Sequence, residues 1–150
     1  MAAFTTRPAT AADQQTISRM IGEAGLNRMG LKWPRFLVVE EAGRILGIGQ
    51  VKPHRDGSLE LASLAVVRGR RGQGIGSLLV RDLLARHEGE ALHLTCRSGL
   101  QGYYERFGFK RVPQAEMPPY FARLMPMVNA FARLYGMHIV VMRRDRPGAA

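Results

Sequence analysis

The stretch Leu59 to Leu79, LELASLAVVRGRRGQGIGSLL, constrains the fold more than any other part of the chain. Leu59 to Val67 reads as a strand. A glycine-rich turn follows, and from Gly74 to His87 the apolar residues Ile75, Leu78, Leu79 and Leu83 recur at helical spacing. Ala91 to Arg97, ALHLTCR, alternates in the manner of a second strand. Strand, helix and strand in that order predict a parallel pair joined by a crossover. Arg71-Gly72-Gln73-Gly74-Ile75-Gly76 sits at the strand-to-helix junction. Backbone N–H groups there converge at the positive end of a helix dipole, which suits a pyrophosphate. A side chain at the glycine positions would hold such a ligand away from the backbone.

The remaining elements follow from turn signals and apolar periodicity. Phe4 to Arg7 is a short first strand, and Ala11 to Ala24 a helix with Thr10 as its cap. Gly25 to Trp33 is helical or irregular and breaks at Pro34. Arg35 to Glu40 and Ile45 to Pro53 are strands, the second closed by the Asp56-Gly57 turn signal. With the strand from Leu59 they make an antiparallel meander. Ser98 to Phe107 is a short helix capped by Ser98, and Gly108 to Val112 a strand. Tyr120 to Tyr135 is an apolar helix interrupted by Pro126, and Met137 to Arg143 is the last strand. The expected fold is α+β, a twisted mixed sheet of six or seven mostly antiparallel strands flanked by helices. Residues 1–150 are expected to form a single domain, with 144–150 a mobile tail.

A second motif lies about thirty residues beyond the glycine turn: Tyr103-Tyr104-Glu105-Arg106-Phe107-Gly108-Phe109. The two motifs in this order resemble the acyl-CoA turn and the Tyr-Glu-x-x-Gly-Phe signature of the GNAT superfamily of N-acetyltransferases. The resemblance runs from about Phe4 to Arg144. It implies acetyl-CoA as co-substrate and a primary amine as acceptor. It implies a pyrophosphate held by the backbone N–H groups of Gly72, Gln73, Gly74, Ile75, Gly76 and Ser77, with Arg71 or Arg70 pairing a phosphate. It implies a pantetheine arm paired with the backbone of Leu64, Ala65 and Val66, because its two amides imitate a strand. Tyr104 would be the general acid that returns a proton to the departing thiolate. Glu60 leads the candidates for general base, with His54 and His93 behind it. His54 sits at a hairpin end, where a surface role is expected, and His93 alternates with Leu92 and Leu94 and would pack against a helix or serve the reaction.

Two positions depart from the family pattern. Relatives acting on ribosomal protein N-termini carry Glu where this chain has Leu92, which argues against that subclass. Arg97 stands where many relatives have Asn, and would pair a substrate carboxylate or a CoA phosphate, or else cap the strand end in solvent. The run Leu94-Thr95-Cys96-Arg97 is similar to domains that modify the α-amine of amino acids, so an amino acid or other small amine is the expected acceptor. The segment Pro113 to Gly136 is expected to close over it.

Composition narrows the alternatives. A lone cysteine, Cys96, excludes an internal disulfide and a multi-cysteine metal site, and four scattered histidines lack ligand spacing, so no metal is expected. No apolar run approaches the ~18 residues of a membrane span, so no membrane partner is expected. The opening residues lack a basic-then-apolar leader, which makes a cytoplasmic protein the expectation. The formal net charge of +10 is carried almost wholly by arginine. It leaves a nucleic-acid-binding protein as one alternative, although the Arg68 to Arg71 cluster overlaps the phosphate turn. An acyl-CoA-binding regulatory module without catalysis is another. Homodimers are common on such a fold.

Overall fold

The computed structural model describes residues 4–148. Seven strands follow the order β1-β2-β3-β4-β5-β7-β6: β1 (Thr5–Pro8), β2 (Phe36–Glu41), β3 (Arg44–Pro53), β4 (Leu59–Val66), β5 (Leu92–Arg97), β6 (Lys110–Arg111) and β7 (Ile139–Arg144). Four α-helices flank them: α1 (Gln14–Glu23), α2 (Ile75–Arg86), α3 (Gln101–Glu105) and α4 (Pro119–Arg133). The sheet is mixed: β4 and β5 run parallel, and β1–β2, β2–β3, β5–β7 and β6–β7 are antiparallel. The expected α+β architecture, with the helix between the parallel strands, is the observed one.

The chain divides into two compact units. The first comprises residues up to Lys52 and Leu61–Arg86. Its two sheet faces differ in side-chain size for a reason legible in β3. Val38 pairs with Ile48, and both join Ile17, Met20, Ile21 and Phe36 in a buried cluster with α1. On the other face Leu37 pairs with Gly49 and Val39 with Gly47. A Cβ on Gly47 would lie 2.7 Å from Ile75 Cγ2 and 3.0 Å from Leu79 Cδ1; one on Gly49 would lie 3.1 Å from Leu83 Cδ1. The two glycines therefore let α2 settle onto the sheet, which fixes where the turn at its head can be. The Thr6 hydroxyl also bonds the Asp82 carboxylate of α2.

The second unit comprises Pro53–Glu60 and the chain from His87. β7 lies between β5 and β6, with Thr95 opposite Val141 and Arg111 opposite Met142. Val112, Phe121, Met125 and Val141 form its buried cluster, with Tyr120, Val128 and Ile139 against it. Asn129 clamps α4 to β7: its amide donates to the Ile139 carbonyl at 3.0 Å and accepts the Ile139 N–H at 2.8 Å.

Several boundaries shift. The first helix opens with a tight turn over Ala11–Asp13 before α1. Ser98 lies within the first turn before α3 instead of capping it, and Arg97 holds the cap position without a side-chain bond. The strand expected over 108–112 shortens to Lys110–Arg111. Of the tail expected over 144–150, Arg144 lies inside β7 and donates from Nε to the Phe107 carbonyl at 3.0 Å. Ala149 and Ala150, like Met1 to Ala3, lie outside the described residues.

Candidate active site

In the first unit the site is built around a break in β4. Ser63 has φ 57, a left-handed conformation within a strand, where a non-glycine residue costs on the order of 1 kcal/mol. Its hydroxyl accepts a 2.7 Å bond from Gln50 Nε2, and Gln50 is fully buried. The strain is thus held in place by a buried amide on β3. Leu64, Ala65 and Val66 follow directly. Ala65 is buried, and Ala65 and Val66 line a cavity of about 350 Å³ with Met20 and Glu23 of α1, Arg68 and Arg71. Ser63 carries no sequence signal, since serine is not a residue that announces positive φ.

The glycine turn continues this wall. Gly72 has φ 79 and Gly74 φ 85, and an added Cβ on either would meet no atom within 4 Å. The turn is therefore open on its outer side, and a side chain there would occupy the space in front of the backbone. Ile75 begins α2 and is buried, while Gly76 and Ser77 are half-buried on its first turn. Arg70 and Arg71 have different tasks. Arg70 forms a two-pronged pair with Glu41 at 3.0 and 3.2 Å and donates to Gln73 Oε1 at 3.0 Å. It braces the turn against the β2–β3 hairpin, and its bond holds the Glu41 carboxyl below its usual range. Arg71 is exposed and lines the cavity.

In the second unit Tyr104 lies on α3, half-buried, its ring edge-on to Tyr103 at 5.0 Å and to Phe109 at 6.2 Å. Burial, with smaller contributions from Tyr103 and Cys96, pushes its phenol up to about 12. Tyr104 therefore keeps its proton throughout the neutral range. Burial raises the Cys96 thiol as well, so it remains protonated and unsuited to nucleophilic attack. Arg97 is exposed at the end of β5, opposite Ile139.

Glu60 and His93 stand opposite each other on the parallel strands β4 and β5. Glu60 Oε1 lies 2.8 Å from His54 Nε2, and the two side chains are only 13% and 8% exposed. The surface role expected for His54 is not what the structure gives: the imidazole is enclosed. Tyr120, at the start of α4, stacks on it at 3.6 Å and 14°, and Phe121 meets it edge-on at 5.7 Å. His93 stacks on Phe121 at 5.3 Å, the helix-packing alternative of its two readings. Both His93 ring nitrogens lack hydrogen-bond partners among the described residues, and burial, reinforced by the Arg143 charge, lowers its proton affinity. Asp56 was legible as a turn residue and Tyr120 as the start of a helix, but nothing in the sequence brought either to His54.

A family model described as Acetyltransferase (GNAT) domain matches residues 32–111. A mycothiol acetyltransferase of Rhodococcus jostii (strain RHA1) is 38% identical over 77 residues, which is 51% of this chain and 25% of that protein. The chain therefore spans about a quarter of that relative. Among solved structures, N-acetylglutamate synthase from Neisseria gonorrhoeae, complexed with coenzyme A and N-acetyl-glutamate, superposes with a TM-score of 0.71 at 19% identity, covering 97% of this chain and 36% of that one. The ribosomal-protein-S18-alanine N-acetyltransferase from Escherichia coli gives 0.69 at 15% identity, covering 99% and 97%. At such identities these structural likenesses speak for the fold alone.

Proposed function

The chain belongs to the GNAT acetyltransferase family, and from that premise we propose that it moves an acetyl group from acetyl-CoA to a primary amine by direct attack in a ternary complex. The observation that carries this reading is the Arg71–Ser77 turn, whose left-handed Gly72 and Gly74 leave the backbone open at the head of α2. Backbone N–H groups of Gly72 to Ser77 bind the pyrophosphate, with Arg71 as the cation beside it. Arg70 serves the turn's shape through Glu41. Leu64, Ala65 and Val66 offer backbone groups to the pantetheine amides after the Ser63 break, and a backbone N–H there polarises the thioester carbonyl.

In the reaction the amine nitrogen bonds the acetyl carbon and the carbon–sulfur bond breaks. Glu60 draws the proton from the incoming ammonium, and Tyr104 delivers one to the thiolate. Arg97, exposed at the end of β5, is assigned to a substrate carboxylate or a CoA phosphate. An amino acid or other small amine is the acceptor class, on the likeness of the Leu94-Thr95-Cys96-Arg97 run to domains that modify the α-amine of amino acids. The 150 residues act as one catalytic domain in the cytoplasm, and a homodimer is one assembly open to it.

Native mass spectrometry with and without acetyl-CoA tests this. A one-to-one adduct is expected, weakened at least ~10-fold by Gly74→Glu, because that change strains a left-handed position and sets a carboxylate before the phosphates. Absence of any adduct at ~1 mM acetyl-CoA, the upper end of ordinary KM values, would sink the reading and send the basic surface to a nucleic-acid binding assay.

A further inference from the structure

His54 is held on several sides, and each contact restricts a different freedom of the ring. Glu60 Oε1 meets Nε2 at 2.8 Å, which sets the rotation about the ring axis. The Tyr120 ring covers one face at 3.6 Å, and Phe121 closes an edge. The backbone beneath is equally fixed. The His54 N–H donates to the Ser58 carbonyl at 2.9 Å, and the Gly57 N–H to the His54 carbonyl at 3.0 Å. Asp56 ties this turn to α4: its carboxylate accepts the Ser58 hydroxyl at 2.6 Å, the Ser58 N–H at 2.8 Å and the Tyr120 N–H at 2.9 Å. An imidazole and a carboxylate taken almost wholly out of water add little to stability, because desolvation offsets their attraction.

An ionised carboxylate can only accept. In the neutral imidazole, a Glu60 carboxylate bonded to Nε2 at 2.8 Å would place the hydrogen on that nitrogen and leave the lone pair on Nδ1, the tautomer a base requires. We propose that His54 is the group on which the proton of the attacking amine comes to rest, with Glu60, Tyr120 and Asp56 as its positioning residues. This rests on the acetyl-transfer reading and moves the base role given there to Glu60 onto His54, leaving Glu60 to hold the ring. The ammonium gives one proton to Nδ1, forming an imidazolium paired with the Glu60 carboxylate. The neutral amine bonds the acetyl carbon, the carbon–sulfur bond breaks, and the thiolate takes the Tyr104 proton. The amide nitrogen sheds its second proton, which restores the phenol, and the imidazolium releases its own to solvent. The titratable groups facing the ring are Glu60, Asp56, Tyr120 and His93. Asp56 and Glu60 are the carboxyl groups among them, and Asp56, held to about 2 chiefly by the Ser58 hydroxyl, stays charged through the working range.

The test joins thiol release to ring nitrogen NMR. The probes are the protein amino acids, spermidine, glucosamine and an alanine-led peptide, each with acetyl-CoA across about pH 5.5 to 9.5. His54→Gln should lower kcat/KM on the order of 10²-fold with every probe that the wild type acetylates, while acetyl-CoA still binds by calorimetry. Glu60→Gln, whose amide N–H can donate to Nε2, should shift the His54 hydrogen to Nδ1 in the ¹⁵N spectrum and lose a similar factor. If His54→Gln does not fold, Tyr120→Leu takes its place, with a raised KM for the amine and a mobile ring signal expected. A folded His54→Gln with wild-type kcat/KM overturns the proposal while the acetyl-transfer reading stands. Wild type that releases no thiol with any probe sinks the acetyl-transfer reading itself.

Discussion

Tyr104 and Asp13 illustrate how one side chain's surroundings set its chemistry. Burial holds the Tyr104 phenol at about 12, so it remains a proton donor across the range in which the enzyme is expected to work. Tyr104→Phe should reduce kcat by about 10²-fold with little change in the KM for acetyl-CoA, and the wild-type profile should carry no alkaline loss from this group below about pH 10. A steady-state pH series on both proteins checks it; an undiminished rate in the variant removes Tyr104 from the acid role. Asp13 is a structural case. Arg7 reaches it at 2.8 and 3.2 Å and the Thr10 N–H at 2.7 Å, and the carboxyl is held at about 2 by Arg7 first and Thr10 after it, against the opposing cost of burial. Its folded value lies below the ordinary 3.8, so its contribution is complete above about pH 4 and lost as pH falls through 2. Asp13→Asn should cost about 2 kcal/mol in denaturant unfolding at neutral pH, and the gap from wild type should close in strong acid. The Thr10 cap was legible in the sequence; the Arg7 partner, on β1, was not.

At the scale of elements, the phosphate turn depends on the seat of α2. The alternation Leu46-Gly47-Ile48-Gly49 in β3 is what lets the helix approach, and it carries no message until β3 is known to lie under Ile75, Leu79 and Leu83. Gly47→Val should destabilise the protein by about 1–3 kcal/mol through overpacking and weaken acetyl-CoA binding by displacing the head of α2. Gly89→Ala, whose Cβ would meet nothing within 4 Å and whose φ is not positive, should leave both unchanged or slightly raise the melting temperature. Thermal unfolding and calorimetry on the two variants separate the cases. The strands β2, β3, β4 and β5 and the helix α2 were legible because their apolar periodicity and turn residues agree. The strand expected over 108–112 was overestimated because Gly108, with φ 91, breaks the extended run before β6.

Across the whole chain, a net charge of +10 sets the terms for any anionic ligand. Acetyl-CoA affinity should fall as salt rises from about 0.05 to 0.5 M, since added ions screen attraction to exposed arginines such as Arg68 and Arg71. A salt-independent Kd by calorimetry would restrict the phosphate contacts to backbone groups. The sequence by itself determined the α+β class, the parallel pair around α2, the open glycine turn and the family, because each rests on local patterns of residue type and spacing. Only the tertiary structure decided that Ser63 takes the left-handed break in β4, that Arg70 is spent on Glu41, and that His54 is enclosed against Glu60 under Tyr120. Those facts depend on which distant residues meet: a bond from Gln50, a hairpin carboxylate, and a helix that begins some sixty residues after the imidazole it covers. Local spacing carries no record of such meetings.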